Sequence, residues 1–89
     1  MPEKTFIIHH KVGLHARPAS LFVKTAAKFK SNIMVSHGER TSTAKSILGV
    51  LSLGVQMDSK IVVKAEGEDA DQALQVLEAL IEDNFGEGK

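Results

Sequence analysis

The sequence predicts an α+β fold, a two-layer open-faced sandwich in which three helices cover one face of a four-stranded antiparallel sheet. Short segments rich in β-branched and aromatic residues, several with alternating apolar side chains, indicate strands. Three further segments carry one apolar stripe each, which indicates helices that bury a single side. The order is β-α-β-β-α-β-α, and 89 residues with 43 % hydrophobic content suit one domain over residues 1–89.

The first strand and the first helix follow from residue type and spacing. Residues Lys4 to His9 favour a strand because they are rich in β-branched and aromatic side chains. Residues Ala16 to Lys28 favour a helix, and Pro18 falls in its first turn, where the missing N–H costs little. Apolar side chains recur along one side of this helix, at Ala19, Phe22, Val23, Ala26 and Phe29.

A hairpin and a short helix come next. Asn32 to Ser36 and Arg40 to Ala44 are predicted as strands joined by a glycine-containing turn. The short helix is predicted over residues 46–53. Ser46 is expected to be its N-cap and Gly54 its C-cap.

The last strand and the last helix have the clearest patterns. Lys60 to Glu66 alternates in polarity, as a half-buried strand does. Asp69 is expected to cap the following helix, with Gln72 in the capping-box position, and Asn84 and Gly86 are expected to end it. The inward residues are Ile61, Val63 and Ala65 in the strand, and Ala73, Leu74, Leu77, Leu80 and Ile81 in the helix.

Charge is unevenly distributed, although the formal net charge is zero. Eight of the 11 Lys and Arg residues lie at or before Lys45, whereas nine of the 11 Asp and Glu residues follow it. This pattern is either a chance segregation on a solvated surface or a basic face that attracts acidic proteins or phosphoryl groups. Nucleic acid is a poorer fit, because the basic residues are scattered and the chain has neither Trp nor Tyr to stack on bases.

The composition also indicates the cellular compartment. The chain has no Cys, which excludes thiolate metal sites and favours a reducing compartment. It has no apolar run near the roughly 20 residues that span a bilayer, and residues 1–4 do not resemble the start of a signal peptide. We therefore expect a cytoplasmic protein without membrane contact. His9, His10 and His37 are expected in solvent or at strand edges, and we predict no metal site and no cofactor.

The most informative motif is the run GLHARPA at residues 13–19, which places His15 directly before the first helix. A helix start carries unpaired N–H groups and a partial positive charge, and both favour an anion. An imidazole is mostly neutral near pH 7. The backbone N–H groups of Ala16 and Arg17 and the Arg17 guanidinium can hold phosphate oxygens. The motif alone leaves two interpretations, a phosphoryl acceptor and a surface histidine that serves as an N-cap.

With a second motif, this run resembles the HPr family, the histidine-containing phosphocarriers of the bacterial sugar phosphotransferase system. The second motif, KSILGVLSLG at residues 45–54, is similar to the family's segment around a regulatory serine. The resemblance implies that His15 accepts a phosphoryl group from phosphorylated enzyme I and passes it to a histidine of a sugar-specific enzyme IIA. Arg17 would stabilise the phosphate. The chain would be a stoichiometric carrier rather than a turnover enzyme, and we expect a monomer.

The resemblance also implies a regulatory site and a docking face. Ser46 would be modified by an HPr kinase/phosphorylase, which in the family weakens transfer from enzyme I and creates a partner for transcriptional control; the alternative is an N-cap alone. The short helix has too many apolar residues for one buried stripe, so either all are core or some face out as a protein contact. By resemblance, the face that docks enzyme I and enzyme IIA combines Ser20, Lys24, Ile47, Leu48 and Leu51.

Two other functions remain open from the sequence. One is a regulatory binding module that acts through phosphorylated Ser46 on a transcription regulator. Such a module can dispense with the histidine, so the presence of His15 and Arg17 favours a carrier. The other is a carrier in the parallel nitrogen-related phosphotransfer chain, which uses the same histidine motif. The segment at residues 45–47 favours the sugar branch over it.

Overall fold

A four-stranded antiparallel sheet with three helices on one face forms the molecule, as the sequence predicts. The computed structural model describes residues 2–8, 16–83 and 85. Its elements are β1 (Glu3–Ile7), α1 (Ala16–Ala26), β2 (Asn32–His37), β3 (Arg40–Thr43), α2 (Ile47–Leu51), β4 (Lys60–Glu66) and α3 (Ala70–Glu82). The strands lie in the order β1-β4-β2-β3, so β4 and β2 are interior and β1 and β3 are the edges.

The interior strands show why the chain forms two layers. Alternate side chains of β4, Ile61, Val63 and Ala65, are fully buried, and in β2 the same alternation buries Ile33 and Val35. The antiparallel register places Val35 opposite Val63 and Ile33 opposite Ala65. Because neighbours in register point to the same face of a sheet, these side chains form one apolar surface beneath the helices.

The helices cover that surface with the stripes that the sequence predicts. Phe22 of α1 and Leu77 of α3 are among the largest side chains that are completely buried. Burial of a side chain of this size stabilises the fold by about 1.5–3 kcal/mol. The other predicted stripe residues are buried or pack partly buried against the core: Ala19, Val23, Ala26, Phe29, Ala73, Leu74, Leu80 and Ile81.

The first strand is shorter than predicted. β1 ends at Ile7, because Ile8 pairs with a turn and not with a strand. The Ile8 N–H donates to the Ser59 carbonyl at 2.9 Å, and the Ile8 carbonyl accepts from the Asp58 N–H at 2.6 Å. The predicted strand end at His9 lies outside the described residues.

Three other boundaries shift by one or two residues. α1 ends at Ala26, two residues before the predicted end, because the N–H groups of Lys28 and Phe29 bond to carbonyls three residues back in a tighter turn. β2 continues through His37, which pairs with Arg40 across the turn, and β3 ends at Thr43. Gly38 occupies that turn with a φ of +62°, which glycine adopts without steric cost.

The predicted capping box at the start of α3 is wrong. Asp69 is the residue before α3, but its side chain makes no hydrogen bond to the helix. Its carboxylate instead accepts from the N–H groups of Lys30 at 2.9 Å and Ser31 at 3.0 Å, and from the Ser31 hydroxyl. The pKa of Asp69 is lowered, mostly by the hydrogen bond from the Ser31 hydroxyl and next by the hydrogen bond from the Lys30 amide. Asp69 therefore joins the start of α3 to the chain entering β2.

The end of α3 also differs from the prediction. The helix ends at Glu82, with Asp83 as the C-cap. The expected stop residues, Asn84 and Gly86, lie outside the described residues.

Candidate functional site

The predicted phosphoryl site falls at the start of α1. The helix begins at Ala16, the residue after His15, as the motif predicts, whereas His15 itself lies outside the described residues. Arg17 is exposed in the first turn. No acidic side chain occupies that turn, so the positive end of the helix dipole is not offset there.

Ser46 is the N-cap of α2, as predicted. Its hydroxyl accepts a hydrogen bond from the Gly49 N–H at 3.1 Å, and the side chain is half-buried. The hydroxyl therefore satisfies one of the donors that a helix start leaves without an intrahelical partner. The predicted C-cap is displaced: the helix is capped by Ser52, and Gly54 follows two residues later with a φ of +67°.

α2 divides its apolar side chains between the core and the surface. Val50 is completely buried, and Leu53 directly after the helix is 2 % exposed. Leu48 is 78 % exposed, and Ile47 and Leu51 are 38 % and 39 % exposed. The interpretation in which all five are core residues is therefore wrong, and the exposed trio forms an apolar surface, which we call the α2 face.

The two remaining predicted docking residues lie on α1. Lys24 is exposed and Ser20 is half-buried, and α1 packs against α2. Lys28 and Lys30 are also exposed, in the segment that follows α1. The α1 side of the molecule is therefore basic beside the apolar α2 face, which suits a partner whose surface combines apolar and acidic groups.

Two lysines of the sheet are paired with carboxylates. Lys4 of β1 donates to Glu78 of α3 at 2.7 Å, and Lys64 of β4 lies 3.6 Å from Glu3. The lysines of both pairs lie in β1 and β4, and their carboxylates lie in α3 and β1. The exposed lysines of the α1 side are therefore distinct from these two ion pairs.

Three side chains hold the ends of α2 through contacts that no sequence motif predicts. Lys45 donates from Nζ to the Phe29 carbonyl at 2.6 Å, beyond the end of α1. Arg40 donates from Nη1 to the Ser52 carbonyl at 2.9 Å.

His37 is the third of these side chains. Its Nδ1 lies 2.7 Å from the Leu53 carbonyl. The expectation that His37 lies in solvent or at a strand edge holds in part, because the residue is half-buried at the end of β2, one residue beyond the last β2 residue that pairs with β4.

These contacts join residues 12 to 16 positions apart, so neither helical periodicity nor a cap motif indicates them. The only signal in the sequence is residue type: long cationic side chains and an imidazole are suited to bind carbonyls at a helix C-terminus.

Residues 2–8, 16–83 and 85 contain neither of two further kinds of feature. That part of the chain holds no group of three His, Cys, Asp or Glu side chains arranged around a possible metal ion. It also holds no helix with the length and apolar character to cross a bilayer.

Comparison with known proteins gives consistent matches along nearly the whole chain. A family model for the PTS HPr component phosphorylation site matches residues 2–83. The phosphocarrier protein HPr of Mycoplasma capricolum subsp. capricolum is 44 % identical over 77 residues, which are 86 % of each protein.

Solved structures also match nearly the whole chain. The crystal structure of HPr-C-His from Thermoanaerobacter tengcongensis matches 98 % of both chains with a TM-score of 0.95 and 49 % identity. Crh, the catabolite repression containing protein of Bacillus subtilis, matches 94 % of this chain and 97 % of its own with a TM-score of 0.74 and 36 % identity. The Crh crystal structure shows a swapping domain in an intertwined dimer.

Proposed function

We propose that this chain, which belongs to the HPr family of the phosphotransferase system, carries a phosphoryl group on the imidazole of His15. Membership of the family makes the chain a phosphocarrier of that system. The role of His15 rests on one observation: the only histidine in the GLHARPA motif directly precedes the first residue of α1.

The proposed chemistry is a reversible phosphoryl transfer. A ring nitrogen of neutral His15 attacks the phosphorus held by enzyme I, and the bond between phosphorus and enzyme I breaks as the N–P bond forms. The Arg17 guanidinium and the backbone N–H groups of Ala16 and Arg17 stabilise the added charge. A helix terminus contributes only about 0.3–1 kcal/mol at an exposed site. This modest stabilisation suits a group that must be passed on to a histidine of enzyme IIA.

The carrier assignment is tested by uptake of label from phosphoenolpyruvate with a catalytic amount of enzyme I. Wild-type protein should take up label in stoichiometric amount, and His15→Ala should take up none. His10→Ala is the matched control, because it removes a different imidazole near the same site in sequence. Uptake by His15→Ala at the wild-type level would refute the assignment.

Enzyme I and enzyme IIA are proposed to dock on the α2 face together with Ser20 and Lys24 of α1. The support is the exposure of Leu48, the basic surroundings on α1, and the contact between the two helices. Exposed apolar groups gathered beside charges of one sign are typical of protein-binding surfaces. Modification of Leu48 should therefore alter transfer between proteins without altering the fold.

Ser46 is proposed to be the regulatory position, modified by a kinase of the HPr kinase/phosphorylase type. A phosphate would place about −1.5 to −2 charges beside the α2 face. That charge would repel acidic partners, so transfer from enzyme I would slow. The helix itself tolerates an anion at its N-cap, as carboxylate caps show.

A second candidate function is a regulatory module that acts through phosphorylated Ser46 on a transcription regulator. The observation that favours it is the similarity to Crh, whose name refers to catabolite repression. The label-uptake experiment separates the two functions, because such a module needs no phosphoryl group on His15. A carrier in the nitrogen-related chain would also take up label, and transfer onward to a sugar-specific enzyme IIA separates that case.

We also propose that the protein works as a cytoplasmic monomer. A carrier must leave one partner before it meets the next, and a monomer leaves the α2 face accessible to both. The similarity to Crh, which forms a dimer with a swapped domain, makes oligomeric state worth measuring. Light scattering during size-exclusion chromatography should give the mass of one 9.6 kDa chain. A stable mass of two chains would contradict the proposal.

A further inference from the structure

We infer that Arg40 and His37 are positioning residues, which hold the α2 face in the orientation that partner proteins recognise. This inference rests on the proposed docking role of α2. Neither residue belongs to the docking face itself. They act from the β2–β3 hairpin, through two carbonyl groups just beyond the C-terminal end of α2.

α2 needs such support because it is too short to be stable alone. It contains five residues, one of which is Gly49. Isolated helices shorter than about 12–15 residues are marginal in water, and glycine lowers helix stability by about 1 kcal/mol relative to alanine. The Ser46 cap satisfies one donor at its start. The orientation of α2 must therefore come from contacts with neighbouring elements.

The hairpin supplies those contacts at the C-terminal end. Arg40 Nη1 donates to the Ser52 carbonyl at 2.9 Å, and His37 Nδ1 lies 2.7 Å from the Leu53 carbonyl. Carbonyl groups at a helix C-terminus lack intrahelical partners and carry the negative end of the dipole. A cation and an imidazole N–H are therefore suitable partners for them.

The register of the sheet fixes both side chains on the same side. His37 and Arg40 are paired directly across β2 and β3, next to the two-residue turn at Gly38 and Glu39. Residues paired in this way point to the same face of a sheet. Since β2 is an interior strand that pairs with β4 as far as Ser36, the pair connects α2 to the sheet.

The N-terminal end of α2 is held from a different element. Lys45 Nζ donates to the Phe29 carbonyl at 2.6 Å, which ties the start of α2 to the loop after α1. The two ends of α2 are thus attached to α1 and to the hairpin. Leu48 lies between these attachments, so its direction depends on both.

The functional consequence concerns binding and not the chemical step. Without the hairpin contacts, α2 would sample more orientations, and a partner would have to order it on docking. The KM for the partner should rise, while kcat should stay unchanged because His15 is not affected. An open cleft of about 520 Å³ runs along the same residues, so solvent reaches the region and the effect per contact should be modest.

The first test is amide hydrogen exchange in the free protein, which requires no assumption about function. Arg40→Met and His37→Leu should each speed exchange of the Val50 and Ser52 amides about fivefold, the equilibrium effect of one typical net hydrogen bond. Amides of β4 should exchange as in wild type. Lys60→Met removes another exposed cation, at the first residue of β4, and should change neither set. Unchanged exchange in α2 would overturn the inference.

The second test is phosphoryl transfer from enzyme I, measured at several concentrations of this protein. Arg40→Met should raise KM about fivefold at unchanged kcat, and Arg40→Lys, which can still donate to a carbonyl, should restore most of the difference. If Arg40 acts through α2, its effect should largely disappear in a Leu48→Ala background. Additive effects of the two substitutions would indicate a direct contact between Arg40 and the partner, and would overturn the positioning role.

Failure of the inference and failure of the proposed function give different results. If wild-type protein accepts no phosphoryl group from enzyme I, the proposed function fails, and the exchange data still report on the hairpin contacts. If wild-type protein accepts it and Arg40→Met has the wild-type KM, the proposed carrier function stands and the positioning role is wrong.

Discussion

Gly67, the residue after β4, is a position where a single added methyl group should be strongly damaging. Its φ of +147° lies in a region that L side chains rarely adopt. A Cβ added there would lie 2.5 Å from the Ser31 Oγ and 2.8 Å from the Ser31 Cα. The Ser31 Cα belongs to the backbone and cannot rotate away, so Gly67→Ala must push two chain segments apart.

The size of the effect follows from these two terms. A side chain in a sparsely populated backbone region costs about 1–3 kcal/mol. Overpacking of a closed contact costs about 1–3 kcal/mol in addition. We therefore expect Gly67→Ala to lower the free energy of unfolding by about 2–6 kcal/mol. A domain of this length has about 4–13 kcal/mol in total, so the loss is a large fraction of it.

Gly38 provides the matched control, because its φ is +62° but nothing lies within 4 Å of an added Cβ. Gly38→Ala should cost only the backbone term, about 1–2 kcal/mol. Urea unfolding at neutral pH, followed by far-ultraviolet circular dichroism, measures both variants; the chain has no Trp or Tyr for fluorescence. If Gly67→Ala proved no more destabilising than Gly38→Ala, the close approach of Gly67 to Ser31 would be refuted.

Three further predictions concern charge and surface groups. Asp69→Asn should destabilise the protein at neutral pH. The difference in free energy of unfolding from wild type should be fully present above about pH 4 and should shrink as the pH falls through the lowered pKa of Asp69. The reason is that the carboxyl group binds a proton at a higher pH in the unfolded chain than in the folded one, so acid favours unfolding of the wild type. Ser46→Asp should raise the KM for transfer from enzyme I, whereas Ser46→Asn, which caps equally well without charge, should not. Leu48→Asp should slow transfer with little loss of stability, since the side chain is 78 % exposed. Val76→Asp on α3, at another exposed aliphatic residue, should leave transfer unchanged.

Each of these predictions has a result that contradicts it. The Asp69 prediction is contradicted if urea unfolding gives the same difference in free energy of unfolding between wild type and Asp69→Asn at every pH. The Ser46 prediction is contradicted if Ser46→Asp and Ser46→Asn have the same KM in steady-state transfer kinetics. A well-folded Leu48→Asp protein with wild-type transfer rates would remove the α2 face from the docking surface.

The elements that the sequence predicted well are those whose pattern is local. The strand Lys60–Glu66 has the predicted bounds, because a half-buried interior strand must alternate and Ile61, Val63 and Ala65 do so without interruption. The N-cap role of Ser46 was predictable for the same reason, since cap and acceptor lie three residues apart.

The features that sequence reasoning missed depend on residues distant along the chain. Asp69 fits a local capping box, yet the amides of Lys30 and Ser31 and the Ser31 hydroxyl bind its carboxylate more favourably than one helix N–H would. The contacts of Arg40 and His37 with the end of α2 arise only when the hairpin folds over that helix. A local motif names the residue types available for a hydrogen bond, and the tertiary fold decides which partner is used.

The candidate site likewise has features that a local pattern predicts and features that depend on distant residues. Its start at Ala16 and its exposed apolar helix were predictable, because both follow from a motif and from an excess of apolar residues in a short helix. The attachment of that helix to the sheet was not, since no short-range pattern encodes it.

The central claim is that His15 is the phosphoryl carrier, and localisation of the phosphoryl group tests it most directly. The protein is incubated with phosphoenolpyruvate and enzyme I, digested at neutral pH, and analysed by tandem mass spectrometry. We predict a mass gain of one acid-labile phosphoryl group on His15, which is lost to excess enzyme IIA once phosphoenolpyruvate and enzyme I have been removed. A phosphoryl group on another residue, or no gain in the presence of active enzyme I, would contradict the claim.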